Sequence, residues 1–590
     1  MPKSAKFSFK STFGAAILPR GRACFSLWAP GCPAIDLVIN GQPALPMLPQ
    51  KDGWFSLTTS CKAGDGYRFR LPSGTLVPDP ASRAQMHDVH DASLLIDPRA
   101  YSWRHPQWRG RPWHEAVIYE IHPGLAGGFA GIEAQLPYLA ALGVTAIELM
   151  PIADFPGQRN WGYDGVLPYA PDTSYGTPEQ LKSLIDAAHG YGLMILLDVV
   201  YNHFGPDGNY LPQLAPQFYR HDRTTPWGDA IDVRQNEVKQ FFIQNALYWL
   251  IEYRFDGLRF DAVHALDDSE FLREMARDIR RNVEMDRHVH LILENENNDA
   301  SLLGPVQQGI QYDAQWADDF HHAVHVLLTG EDESYYEEFA ADPAVLLAKC
   351  LAEGFAFPGG PATNQNEPPL PTTAFVICLQ NHDQIGNRAM GERLAALAHP
   401  KALRAATLVL LLTPQIPLLF MGQETGSSQP FLYFTDHHGE LADAVREGRR
   451  REFAKFTGFT DPKRRARIPD PNHPDTFAAS MIDKADPADA ARPGWLALHQ
   501  ELLATRAKFI TPFIPRGQPI GAQALGRTGI HAQWRLANGA VLTIAANFAA
   551  TPLLCPVLDD DVIFASPADA HCSAGTLAGH TAIATLRSPA

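Results

Sequence analysis

Three successive patterns of apolar and polar positions divide this chain. From residue 12 to about 98 the runs are short and alternating: RACFSLWAP (22–30), AIDLVIN (34–40), GWFSLTT (53–59) and GYRFRLP (66–72), parted by Gly, Pro, Asn and Asp. A period of two with turn residues between runs predicts half-buried strands, and several in series predict a small β-sandwich. A Trp- and Pro-rich linker follows, SWRHPQWRGRPWHE (102–115).

From residue 116 the apolar runs become continuous and helical stretches separate them. AVIYEIH precedes the helix-like GIEAQLPYLAALG, and TAIELMPI follows it. TPEQLKSLIDAAHGYG, with a Thr cap and Pro at the first helical position, leads to LMILLDVVYNH. EVKQFFIQNALYWLIEYR leads to FDGLRFDAVHAL, DSEFLREMARDIRRNV to HLILENENN, and AFVICLQNHDQ and IPLLFMGQE close the series. Such strands read as a parallel sheet buried on both faces, and eight units close into a (β/α)8 barrel. Seven strands are readable, and an eighth is expected between residues 305 and 330. Beyond about residue 515 alternation returns (GIHAQWRL, AVLTIAANF, DVIFAS, TAIATLRS), which predicts an all-β C-terminal domain. The stretch 425–510 reads as irregular decoration with some helix. The expected division is 1–98 sandwich, 112–510 barrel and 511–590 C-terminal domain.

Composition narrows the class of function. The chain has 590 residues, too many for one core, with 45% hydrophobic and 19% charged residues, as in globular proteins. A net charge of -16 disfavours phosphate backbones and anionic membranes, so neither nucleic acid nor membrane is an expected partner. The seven cysteines are odd in number and form no CxxC pair, which speaks against a disulfide framework or a structural zinc site. FGAAIL near the N-terminus is shorter than a signal-peptide core, and two prolines interrupt LVLLLTPQIPLLFMG. A soluble, cytoplasmic protein is expected.

In a barrel the chemistry lies at the C-terminal strand ends. Four apolar runs end sharply in polar groups: DVVYNH (Asp198, Asn202, His203), GLRFDAVH (Arg259, Asp261, His264), LILENEN (Glu294, Glu296) and LQNHD (Asn381, His382, Asp383). One carboxylate at a strand end is usually a turn or cap residue, but four such ends in one barrel point to a site. Arg259 and Asp261 are two apart and so face one side of a strand. A guanidinium there lowers the carboxylate's pKa and keeps it ionised, as a nucleophile requires. Glu294, raised by a neighbouring carboxylate, would keep its proton. Two carboxyls with split pKa values are the equipment of glycoside hydrolysis. Asp198 reads mainly as a structural partner of Arg259.

These four segments resemble, in order, the four hallmark regions of the α-amylase superfamily (glycoside hydrolase family 13). The resemblance implies Asp261 as nucleophile, Glu294 as acid/base and Asp383 as the carboxylate holding the distorted sugar. It further implies His203, Arg259 and His382 as groups around the sugar and Tyr163 of NWGYDG as the aromatic beneath it, with Asp164 as a loop or sugar contact. Glu296 is passed over for Glu294, which follows its strand directly. Longer stretches, such as TAIELMPIADFPGQRNWGYDGVLPYAP and AQWADDFHHAVHVLLTGE, are similar to the branch of the superfamily that cleaves the α-1,4 bond beside the terminal trehalose of maltooligosyltrehalose. That implies maltooligosyltrehalose as substrate, a maltooligosyltrehalose synthase as pathway partner, and no metal or organic cofactor. Trp316, Asp318, Phe320 and the run Phe431 to Phe434 are candidate sugar contacts. The loop in EIHPGLAGGFAG, after the first barrel strand, is short by comparison with that superfamily. The alternatives are a branching or debranching enzyme of the same architecture, and an inactive glucan-binding protein.

Overall fold

The computed structural model describes residues 6–226, 228–304, 312–359, 370–482, 494–573 and 575–589. Most of the Gly- and Pro-rich run 357–371, which reads as a loop insertion ahead of AFVICLQNHDQ, lies outside the described residues.

Eight parallel strands close a barrel in sequence order. They are β1 (Ile118–Ile121), β2 (Ala146–Leu149), β3 (Met194–Val199), β4 (Gly257–Phe260), β5 (His290–Leu293), β6 (Ala314–Trp316), β7 (Phe375–Cys378) and β8 (Ile416–Phe420). All their residues are buried, which is why these runs are continuously apolar rather than alternating. The eighth strand of the sequence reading is β6, only three residues long and pairing with β5 and β7.

The helices pack outside. α1 (Gly128–Leu142) stops at Gly143, whose φ of 101° is the left-handed conformation that ends helices at glycine. α2 (Pro178–Gly190) begins with a full capping box: the Thr177 hydroxyl accepts from the Gln180 N–H at 3.2 Å, and the Thr177 N–H donates to Gln180 Oε1 at 2.9 Å. α3 (Asn236–Ile251) precedes β4, α4 (Ser269–Asn282) precedes β5, and α5 (Asp318–Thr329) starts two residues after β6. α6 (Pro343–Glu353) and α7 (Pro400–Leu412) follow, the latter leading into β8. The decorating stretch contains α8 (Gly439–Glu452), short helices at Pro462–Arg465 and Pro474–Ala479, and the longer helix Trp495–Phe509.

Before the barrel, one sheet contains Gly14–Leu18, Arg22–Trp28, Leu48–Pro49 and Trp54–Ser60; a second contains Asp36–Ile39, Leu45–Pro46, Gly66–Arg70, Leu76–Val77 and Ser93–Leu94. Phe25 of the first and Tyr67 of the second meet with ring centroids 4.9 Å apart, so the sheets share a core. This unit is docked on the barrel through aromatic contacts. Phe13 packs edge-on to Phe241 at 5.3 Å, and the Arg83 guanidinium lies 4.5 and 4.2 Å over the rings of Tyr169 and Tyr248. After the barrel come a five-stranded antiparallel sheet (Gln518–Leu525, Gly529–Arg535, Val541–Asn547, Thr581–Arg587, Asp561–Ser566) and a small three-stranded one. All seven cysteines are free thiols. Among the described residues, no helix is long and apolar enough to cross a membrane.

Candidate active site

The polar residues that end β3, β4, β5 and β7 converge at one mouth of the barrel, with Arg259 at their centre. Arg259 lies on β4 and is 1% exposed. Its Nη1 donates to Asp198 Oδ2 at 2.6 Å and to Asp261 Oδ1 at 2.7 Å, and its Nη2 lies 2.8 Å from Glu294 Oε2. The Trp316 ring, at the end of β6, supports the guanidinium at 4.3 Å. One planar cation thus ties three carboxylates from three adjacent strands, a geometry that its forked donors allow and a lysine's would not.

Asp261 is further held by Asn202, whose Nδ2 donates to its Oδ2 at 2.8 Å and to its backbone oxygen at 2.9 Å. The next residue, Ala262, has φ 40° and ψ 49°, a left-handed conformation costly for alanine. That turn aims the Ala262 N–H at Glu294 Oε2, 2.8 Å away. The backbone strain therefore couples the two carboxyls: the residue that follows one donates to the other. Burial raises the Glu294 pKa above its ordinary value; the Asp261 charge and a hydrogen bond to Asp261 add to this, while Arg259 opposes it. The expected elevation is present, but its leading cause is burial. The guanidinium that was expected to serve Asp261 also contacts Glu294.

Tyr163, half-buried in the loop after β2, donates to Asp198 at 2.6 Å, lies 2.8 Å from His382 Nε2, and stacks on the His382 ring at 5.2 Å. His382 Nδ1 is hydrogen-bonded to Glu120 of β1. Burial disfavours the imidazolium, yet Glu120 wins and raises His382 to about 9. His382 is therefore a cation at neutral pH, donating from both ring nitrogens. His203 contacts Asn202 through Nδ1 and the Tyr163 backbone oxygen through Nε2 at 2.9 Å, and burial lowers its pKa. Asp164 accepts from Asn160 Nδ2 at 2.6 Å and faces His437 at 3.5 Å. These contacts overcome burial and lower its pKa. Asp383, on the short helix His382–Gly386 capped by Asn381, accepts from Asn387 Nδ2 at 2.5 Å, and burial raises its pKa.

Other candidates separate. Asp318, at the start of α5, is half-buried beside the site, where burial and then Glu294 and Asp383 raise it to about 8. Glu296 is exposed and faces His264, 3.6 Å away at the rim. Phe320, Phe431 and Phe434 are fully buried and cannot face a sugar. Phe431 instead stacks on Trp161 at 5.2 Å and props the loop bearing Tyr163. Two site carboxylates escaped the sequence reading, Glu120 of β1 and Glu148 of β2, neighbours in register on the barrel interior. Their signal was a charge inside an otherwise apolar strand. Neither Glu148 oxygen has a hydrogen-bond partner among the described residues, and burial, then Glu120 and Asp198, raise its pKa well above normal.

A closed parallel barrel that gathers Asp198, Asp261 and Glu294 from three adjacent strand ends around one arginine, with Asp383 following β7 at the same mouth, defines an α-amylase-type glycosidase. The sequence profile of the alpha amylase catalytic domain matches residues 109–215, and a domain of unknown function, DUF3459, matches residues 520–584. The chain belongs to the malto-oligosyltrehalose trehalohydrolases: it is 38% identical over 512 residues to the enzyme of that name from Deinococcus radiodurans, covering 84% of this chain and 83% of that one. A crystal structure of a candidate alpha amylase from Salmonella typhimurium superposes with a TM-score of 0.90 at 45% identity, covering 98% of this chain and 100% of that one. The 1,4-alpha-glucan branching enzyme of Burkholderia thailandensis is 33% identical over 287 residues, which is 42% of this chain and 34% of that enzyme.

Proposed function

We propose that this chain hydrolyses the α-1,4-glucosidic bond beside the terminal trehalose of maltooligosyltrehalose and releases trehalose, with retention at the anomeric carbon. The observation that carries the mechanism is the Arg259 fork, whose arms lie 2.7 Å from Asp261 and 2.8 Å from Glu294. Such a fork draws the two carboxyls toward one point, in keeping with the short separation that a retaining mechanism needs. The family membership favours the trehalose-releasing reaction over branching.

In the first step Asp261 attacks the anomeric carbon while Glu294 gives its proton to the departing glycosidic oxygen, and trehalose leaves. In the second, Glu294, now a carboxylate, takes a proton from water. The water oxygen displaces Asp261, and Glu294 is protonated again. Burial of Glu294 favours the protonated starting form. Asn202 and Arg259 hold the nucleophile's oxygens. Asp383 accepts hydroxyls of the distorted ring, and Tyr163 lies beneath it, steadied by His382, whose two ring nitrogens meet Glu120 and the Tyr163 hydroxyl, with the gain largest in the oxocarbenium-like transition state. His203 and Asp164 shape the floor through the Tyr163 loop. A maltooligosyltrehalose synthase would supply the substrate.

The test is sugar analysis after incubation with maltooligosyltrehalose. Trehalose and a shortened maltooligosaccharide are expected, and Asp261→Ala should abolish both while unfolding like the parent. New or lost α-1,6 branches in starch, without trehalose, would overturn the substrate assignment; ordinary activity in Asp261→Ala would overturn the nucleophile.

A further inference from the structure

The decorating stretch after β8 sends one buried arginine back to the site. Arg449, near the C-terminal end of α8, is 9% exposed although three polar or basic neighbours, Arg446, Arg450 and Arg451, are not buried. Its guanidinium reaches the turn that follows Asp383. Nη2 donates to the backbone oxygens of Gly386 and, at 3.1 Å, Arg388; Nη1 lies 3.4 Å from Asn387 Oδ1 and 3.3 Å from Glu452. The rings of Tyr433 and Phe453 cover its faces at 5.3 and 4.7 Å. Asn387 in turn donates Nδ2 to Asp383 Oδ1 at 2.5 Å, and its backbone N–H donates to the Asp383 oxygen at 2.9 Å. An amide that accepts on one side must present its NH2 on the other, so the bond from Arg449 fixes which way Asn387 faces. A second clamp meets the same turn: Arg388 pairs with both oxygens of Glu331 at 2.7 and 2.9 Å.

We infer that Arg449 is a positioning residue for the reaction: it fixes the 386–388 turn and the Asn387 amide, and Asn387 holds the Asp383 carboxyl in the orientation that receives the sugar. The inference rests on the role proposed for Asp383. Physically, a buried cation with three donor contacts on one turn and one on Glu452 costs desolvation that is fully recovered only if that turn stays in place. Asp383 sits on a helix of five residues, too short to be rigid alone. Its direction is therefore set by what grips the end of that helix.

The experiment compares Arg449→Ala, Asn387→Ala, Asp383→Asn and the doubles Arg449→Ala/Asp383→Asn and Asn387→Ala/Asp383→Asn, assayed on maltooligosyltrehalose alongside thermal unfolding. Arg449→Ala and Asn387→Ala are each expected to lower kcat by roughly ten- to a hundredfold, the scale of a misplacement of about 1 Å, with a much smaller change in KM. Neither should lower the residual kcat of Asp383→Asn further, because the group they act through is already gone. Added guanidinium ion should restore part of the kcat of Arg449→Ala and none of that of Asn387→Ala. Unchanged kcat in both singles, or losses that multiply fully in the Asp383→Asn background, would overturn the inference. Ordinary activity in Asp383→Asn would instead overturn the role given to Asp383. Should Arg449→Ala not fold, the Asn387→Ala pair carries the same comparison.

Discussion

Arg259 is where the charges of this site are balanced. It draws Asp198, Asp261 and Glu294 together, while Glu120 does the same for His382 on the opposite wall. Two pH effects follow at this scale. His382 is raised in the folded protein to about 9, against about 6.5 for a free histidine. A raised histidine stabilises the fold fully below its unfolded value, and that contribution is lost as pH rises through the folded one. The melting temperature should therefore fall between about pH 6.5 and 9 by an amount that Glu120→Gln removes; an equal decline in both proteins would refute this. The second effect concerns Asp318, neutral at pH 7 because it is raised to about 8. Above that pH its charge favours retention of the proton on Glu294. Asp318→Asn should match the parent near pH 7 and lose kcat/KM at lower pH on the alkaline side. A limb that stays put or moves upward would dismiss the idea.

Among elements, the short helix of Asp383 and the loop of Tyr163 depend on each other. A Cβ at Gly386 would stand 2.0 Å from the Trp161 ring, so only glycine lets that helix lie against the loop. Gly386→Ala must push the two apart. It is expected to cut kcat at least tenfold, as a displacement near 1 Å does, while far-UV circular dichroism stays that of the parent; full activity would show that the close approach is dispensable. At α2 the effect is purely on stability: Thr177→Ala removes the capping box and should cost about 1 kcal/mol by denaturant unfolding, with kcat unchanged. The elements also explain which readings succeeded. Thr177–Pro178 and the continuous apolar strands are local signals, so α2 and most barrel strands were legible. β6 is three residues long, below the length at which a period can be counted. Phe431 and Phe434 follow a Gly- and Ser-rich stretch and look like exposed loop aromatics, yet Trp161, more than 250 residues earlier in the chain, covers Phe431.

For the whole molecule, the N-terminal sheets behave as part of the barrel's wall. Phe241, Tyr169, Tyr248 and Phe218 are all buried, and Phe13, Arg83 and Trp28 cover them. Removing residues 6–98 would uncover these rings at a cost of roughly 1.5–3 kcal/mol for each one left fully exposed. The truncated chain should therefore aggregate or bind a hydrophobic dye and melt well below the parent. A truncated barrel that melted like the full chain would mean the joint contributes little.

What the amino-acid order determined by itself was everything carried by short-range pattern: strands from period, helix starts from caps, and the polar ends of apolar runs among which Asp261, Glu294 and Asp383 are candidates. Tertiary structure decided which side chains share a cation, which aromatics are covered, and how burial divides the proton affinities of neighbouring carboxyls. Those depend on contacts between strands and loops tens to hundreds of residues apart, and on exclusion of water from the closed barrel. Neither distance nor solvation has a local signature, so Glu120, Glu148, Asn387 and Arg449 entered the account only once the chain was folded.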